Sequence, residues 1–362
     1  MNRHRFPQIT VSILLVFAFM IVAVSASVRR SSPALPKGPT VPGPSGYHLL
    51  KKITLGGDGG WDALAFDSSS RRLFISRQSK VVVLNVDSEK VVGEIPDTDG
   101  VHDIALALEF NKGFTSNGRS GTITIFDLKT LAVIGHAQAG ANPDAIVYDP
   151  ASKRVFAMNG RSSNATVVDA ATGNVAGTIE LGGKPEFAVA DGAGRVYVNL
   201  EDKSELLQID SQKLEVTVRW PLSPCDEPSG LAIDAAHHRL FAGCDNKMMA
   251  IVNADSGKVI ATPAIGEGVD GCEFDPGTGL AFASNGQSAT LTVVREESPD
   301  KFGVVEDVPT QRGTRTMTLD PKTHQVFLVT ADFGPRPAPT QENPHPRPAI
   351  LPNSFVVLVF GR

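Results

Sequence analysis

One phrase recurs along this chain and restricts its fold more than any other feature. It is a short apolar strand ending in Asp, a tight turn, and a second strand carrying an aromatic residue. It reads Ala65-Phe66-Asp67 with Leu73-Phe74, Val147-Tyr148-Asp149 with Val155-Phe156, and Val189-Ala190-Asp191 with Val196-Tyr197. It returns as Ala232-Ile233-Asp234 with Leu240-Phe241, Glu273-Phe274-Asp275 with Ala281-Phe282, and Thr318-Leu319-Asp320 with Val326-Phe327. A degenerate copy at 108–114 puts Asn111 in the turn, which makes seven. Each copy continues into a third and a fourth strand, as in 81–87 followed by 90–95. Short strands at a period of roughly 42 residues predict four-stranded blades around a central channel, an all-β seven-bladed β-propeller. The seventh copy ends after a third strand at 354–360, whereas 47–55 (YHLLKKITL) has the fourth-strand pattern. The N-terminal strand is therefore expected to complete the last blade, leaving no open sheet edge at the seam of the termini.

Segments such as Arg154-Val155-Phe156-Ala157-Met158-Asn159-Gly160 followed by Thr166-Val167-Val168-Asp169 resemble the YVTN-type repeats of YncE-like exported bacterial β-propellers. The resemblance covers 47–362 and all seven blades. It implies the fold and leaves function open, because related propellers include binding proteins, lactonases, a lyase and the propeller domains of redox enzymes.

The first 26 residues read as a signal peptide. Arg3, His4 and Arg5 precede an apolar run from Ile9 to Val24, and Val24-Ser25-Ala26 offers small residues for cleavage. The run is shorter than the ~20 residues that span a bilayer, so no membrane span is expected after cleavage, with an uncleaved anchor as the alternative. The expected location is periplasmic or secreted. Residues 27–46 are Pro-rich and read as an extended linker. The formal net charge of −5 gives no electrostatic reason to expect nucleic acid.

Several polar motifs have local explanations. Asp149-Pro150, Asp275-Pro276 and Asp320-Pro321 suit the first two positions of a turn. Asp87, Asp127, Asp169, Asp210 and Asp255 are read as third-strand caps, and Asn117-Gly118, Asn159-Gly160 and Asn285-Gly286 as hairpin turns with positive φ. His237-His238 reads as a solvated turn with no partner at ligand spacing.

The position five residues before each inner-strand Asp is more informative. It holds Asp62, Asp103, Asp144, Glu186, Ser229, Asp270 and Arg315, at spacings of 41, 41, 42, 43, 41 and 45. These seven should ring the mouth of the funnel, with Trp61, Arg77, His102, Arg119 and Arg161 in loops of the same face. Two carboxylates about 8 Å apart repel by roughly 2 kcal/mol at an effective dielectric near 20. Relief can come from Arg77, Arg119 and Arg161 pairing with Asp62, Asp103 and Asp144, from an organic ligand or partner, or from Ca²⁺ or Mg²⁺. His102 and Trp61 would offer a proton carrier and a stacking surface.

Residues 333–353 form an insert with seven prolines between the second and third strands of the last blade. A lid, a polyproline II ligand and a loosely draped loop are the three readings of it. Of three cysteines, Cys225 and Cys244 share the upper face and are expected to form a disulfide, leaving Cys272 as a buried thiol. No CxxC, HExxH, CxxCH or GxSxG pattern occurs.

These features point to an exported, monomeric, non-catalytic binding or scaffold module without a cofactor. It would engage a small molecule, peptide or protein at the upper face. The alternative is a lactonase- or lyase-type hydrolytic propeller, with a divalent cation polarising a carbonyl and Asp103 or His102 moving the proton.

Overall fold

The computed structural model describes Met1, residues 43–341 and residues 346–362; the signal peptide read at 1–26 and the linker through residue 42 otherwise lie outside the described residues. Among the described residues, seven antiparallel four-stranded sheets follow one another as blades. Blade 1 comprises Leu64–Asp67, Arg72–Arg77, Lys80–Asn85 and Lys90–Ile95, from the channel outward. Blades 2 to 6 begin with inner strands Val101–Ala107, Pro143–Asp149, Pro185–Ala190, Pro228–Asp234 and Val269–Asp275. Blade 7 consists of Met317–Asp320, Gln325–Thr330 and Val356–Gly361, closed on its outer edge by His48–Thr54. There Ile53 pairs with Val357, so the first strand of the chain occupies the place that a fourth strand fills elsewhere. Ser45, just upstream, is already buried, and its backbone N–H and hydroxyl donate to Glu306. No described helix is long and apolar enough to cross a membrane.

The aromatic of the repeated phrase explains the packing. Phe74, Phe114, Phe156, Tyr197, Phe241, Phe282 and Phe327 occupy matching places in the second strands, and each is no more than 1% exposed. Seven hydrophobic clusters result, one at each seam between blades; Phe156 and Met158 of blade 3, for instance, pack with Val196 and Leu207 of blade 4. A blade therefore completes its core only against its neighbours.

The inner-strand Asp residues act as the turn reading expects. Asp149 Oδ2 accepts the backbone N–H of Ser152 at 3.0 Å, and Asp275 Oδ1 that of Gly277 at 3.0 Å. Asp127, Asp169 and Asp210 likewise cap the third-strand turns. In blades 1 and 5 the cap lies two residues earlier, on Asn85 and Asn253, while Asp87 pairs with Arg71 and Asp255 with His238. The Asn-Gly pairs are not positive-φ turns. Asn117, Asn159 and Asn285 are fully buried, and their amides donate to Thr124, Thr166 and Thr292 across each hairpin. The left-handed residues fall further on, at Gly121, Ser163 and Ala289. Cys225 and Cys244 are joined, with Cα atoms 5.5 Å apart, and Cys272 is a buried free thiol.

Candidate functional site

The mouth is shaped by a bulge at the start of the inner strand. In blade 2, Val101 pairs with Asn117 and Ile104 with Thr115, so His102 and Asp103 both stand opposite Ser116. Blades 3, 4 and 5 repeat this at Asp144-Ala145, Glu186-Phe187 and Ser229-Gly230, and blade 6 places Asp270 as the extra residue. A bulge re-aims a side chain, and here it breaks the alternation at the ring position in five blades. Polar groups of the second strands hold these bulges. Asp103 N–H donates to Ser116 Oγ at 3.1 Å, and that hydroxyl donates to the carbonyl of Asp144 in the next blade. Asn199 reaches the carbonyl of Ser229 at 3.0 Å, and Ser284 that of Arg315. Sequence reasoning passed over Ser116, Asn199 and Ser284, although each is a polar residue at the last position but one of a second strand.

Six of the seven ring residues, all but Ser229, line one cavity of about 250 Å³ together with His102. Ser229 touches it indirectly, its hydroxyl lying 3.4 Å from Asp270 Oδ1. The loop arginines do not neutralise the ring as one of the sequence readings supposed. Arg77 lies 3.8 Å from the centroid of the Phe355 ring and donates to the carbonyls of Asp58 and Gly60. Arg119 pairs with Asp99 at 2.7 Å, and Arg161 has no side-chain partner among the described residues. Arg77 ends the second strand of blade 1, and Arg119 and Arg161 lie two residues past the second strands of blades 2 and 3. The cations at the mouth are instead His102, Lys184 and Arg315.

His102 Nδ1 stands 2.7 Å from Asp62 Oδ2 and 3.6 Å from Asp144 Oδ1. The hydrogen bond to Asp62 pushes the His102 pKa up to about 9, against the cost of burial. Arg315 bridges Asp270 at 3.0 Å and Asp62 at 3.7 Å. Lys184, which the ring register did not include, pairs with Glu186 at 2.7 Å and also with Glu201. Burial raises the remaining acids: Asp103 goes up to about 7 although it accepts the N–H groups of Ile104 and Ile146, and Asp270 to about 6 despite Arg315. Burial also raises Asp144 and Glu186. Trp61 is no free stacking surface, since it packs on Phe355 and Phe333 with ring centroids 5.3 and 6.2 Å away.

Beneath the mouth lies a second cavity of about 250 Å³, which shares Ala63, Asp103 and Phe187 with the first. Its wall is mixed, with Leu64, Ile104, Ile146, Leu231 and Met317 beside Asp103, Glu273 and Thr316. Glu273 stands in that wall without an ion pair or hydrogen bond among the described residues, and burial, then the charge of Asp103, pushes it up to about 8. The insert roots beside the mouth: Phe333 bridges Ile350, and Gly334 N–H donates to the Ala349 carbonyl at 2.8 Å. The base of this Pro-rich segment thus pairs where its prolines leave a gap. Residues 342–345 of the insert lie outside the described residues.

No family model matches the chain, and no curated protein matches it. Solved structures do. Hydrazine synthase of Kuenenia stuttgartiensis aligns with a TM-score of 0.65 and 16% identity, over 74% of this chain and 92% of that one. A structure of U3-55K aligns with a TM-score of 0.71 and 11% identity, over 88% and 99% of the two chains. The WD40 repeats of RRP9 align with a TM-score of 0.71 and 10% identity, over 89% and 99%. At such identities the likeness shows the propeller fold alone.

Proposed function

We propose that this chain is an exported, YVTN-like propeller that acts as a non-catalytic binding module, and that its mouth receives a cationic group of a small molecule, peptide or protein. One observation carries the reading: five carboxyl groups from five blades converge on a single cavity with, among the described residues, His102, Lys184 and Arg315 to balance them. Lys184 is itself shared with Glu201, outside the ring. An arriving ammonium or guanidinium would stabilise carboxylates that burial disfavours. The WD40 repeats of RRP9 show a propeller of this shape without lending their partners to this one.

The test is calorimetric titration of the full chain with trilysine and with its fully acetylated form. Trilysine is expected to bind, the acetylated peptide not to bind, and an Asp62→Asn/Asp144→Asn variant to weaken trilysine at least ~tenfold. Equal behaviour of both peptides, or of both proteins, would contradict the reading.

A second reading has one specific observation in its favour. Asp62, His102 and Asp144 each offer a ligand atom, all within 4.8 Å of one another, which suits a divalent ion at the mouth and metal-assisted hydrolysis of a lactone. Stoichiometric metal in the full chain, lost with lactone hydrolysis in the same variant, would support it; metal-independent behaviour would remove it.

A further inference from the structure

The lower face holds a second convergence, at the seam between blades 5 and 6. Asp234 ends the inner strand of blade 5, and its Oδ1 accepts the N–H of Ala236 at 3.0 Å. Its Oδ2 lies 2.6 Å from Nδ1 of His237, a residue whose sequence setting suggested no partner. From blade 6, Glu296 brings Oε1 to 3.3 Å from the same nitrogen. The Glu296 side chain is only 5% exposed, and Oε1 accepts no hydrogen bond.

Two other seams show what is unusual here. In blades 7 and 1 the residue four positions after the inner-strand Asp turns back through a left-handed conformation and offers its side chain to the preceding blade, whereas in blade 5 that residue, His238, pairs with Asp255 of its own blade. His324 of blade 7 reaches Asp275 of blade 6 at 2.8 Å, and Arg71 of blade 1 reaches Asp320 of blade 7. Each of these seams thus sets a cationic or ionisable nitrogen from the following blade against the turn carboxylate. In blade 6 the corresponding residue is Gly279, with φ +64°, which has no side chain to offer. Glu296, whose N–H donates to the Gly279 carbonyl at 2.9 Å, faces Asp234 instead. An acid stands where the other two seams have a base.

That acid is held in place by the rest of the hairpin. Blade 6 has the long pair Thr290–Ser298 and Lys301–Pro309, where the third strands of the other blades run six residues. Its tip is anchored by Arg239, which donates to the Pro299 carbonyl and pairs with Asp300 at 3.2 Å. The other donors of Arg239 go to the carbonyls of His237 and His238, so this guanidinium is committed elsewhere than to the two carboxyls.

We propose that Asp234, His237 and Glu296 form a binding site for a divalent transition metal ion of the zinc class, which clips the long hairpin of blade 6 to the turn of blade 5. The three ligand atoms lie within 4.8 Å of one another, close enough for one ion to touch all three. One imidazole nitrogen with two carboxylate oxygens suits Zn²⁺, Co²⁺ or Mn²⁺, whereas Ca²⁺ and Mg²⁺ take oxygen ligands alone. His237 is 54% exposed, so an ion has a route from solvent and room for water as a further ligand. The site is independent of the mouth, at the other end of the inner strands.

The experiment is calorimetric titration of the chelator-treated full chain with ZnCl₂ and with MgCl₂. It is done on a His102→Gln background, so that the trio at the mouth does not compete. One equivalent of zinc is expected to bind, with magnesium at least ~tenfold weaker. Adding His237→Gln or Glu296→Gln is expected to weaken zinc at least ~tenfold. Zinc should raise the thermal midpoint of the background protein and leave that of the His237→Gln protein unmoved. Absence of zinc binding in the background, or zinc binding of unchanged strength in either added variant, would overturn the proposal. His237 lies on an exposed turn, so its variant tests the site even if Glu296→Gln unfolds the hairpin.

Discussion

Asp residues stand at both ends of the inner strands, and their surroundings drive their acidity in opposite directions. At the lower face Asp67 is buried, yet the hydroxyls and N–H groups of Ser69 and Ser70 hold its pKa below the usual carboxylate range. Asp320 is held low in the same way by Ser68, Thr323, Lys322 and Arg71. At the mouth Asp103, Asp144 and Asp270 are raised, because burial outweighs the few donors aimed at them. The difference lies in the turn. An Asx turn supplies two or three donors from the same short segment, whereas a bulge turns the ring side chain towards the axis, where other acids await it. A carboxylate met by local donors is a structural part; one met by other carboxylates is available to a ligand.

The largest expected effect of a single change belongs to the lower face. Asp320→Ala would leave Arg71 and the N–H of Lys322 without their buried acceptor, and should cost about 3–5 kcal/mol in urea unfolding. Next comes the upper-face staple. Cys225 and Cys244 are 19 residues apart, and Cys244→Ala should lower stability by about 3 kcal/mol under oxidising conditions. Under reducing conditions the difference from the parent should vanish.

The comparison sharpens with pH. Asp103 is raised to about 7 and Glu273 to about 8, so the folded chain binds more protons than the unfolded one from roughly pH 4 upward. Stability is therefore present below the unfolded pKa values and falls as pH rises through 7 and 8. His102, raised to about 9 from 6.5, acts in the same direction between those values. The thermal midpoint should decline from pH 5 to pH 9, and Asp103→Asn with Glu273→Gln should flatten that slope. A midpoint that rises across this range would break the contrast between the two faces. The smallest effect is expected at Arg119→Ala, which removes an exposed pair with Asp99 and should change stability by less than about 1 kcal/mol.

The fold was legible because every blade repeats an aromatic in its second strand and six of the seven repeat a turn Asp at a fixed place. The closure by His48–Thr54 was legible from a missing strand in blade 7. The ring was found by register alone, which was one residue off in blade 2: the bulge pairing sets His102, with Asp103 next to it, level with Asp144, Glu186, Ser229 and Asp270, because the degenerate second copy has no inner-strand Asp to count from. Lys184 and Arg315 act as its cations because they stand just before the inner strands, whereas Arg77, at the end of a second strand, and Arg119, in the loop after one, find Phe355 and Asp99. Strand-end chemistry was misread where a cap shifted by two residues, as at Asn85 and Asn253. Of the two partners of His237, Asp234 stands only three residues away and was overlooked, whereas Glu296 was out of reach because it arrives from the next blade on a lengthened hairpin.

The most direct test of the contrast is the titration of individual carboxyl groups by carbon-13 NMR in the full chain. The account predicts Asp103 titrating near 7 and Asp67 below the usual carboxylate range in the same sample. Asp103 titrating with ordinary aspartates near 4 would mean that the mouth is as well satisfied as the turns, and would contradict its assignment as the ligand-binding end.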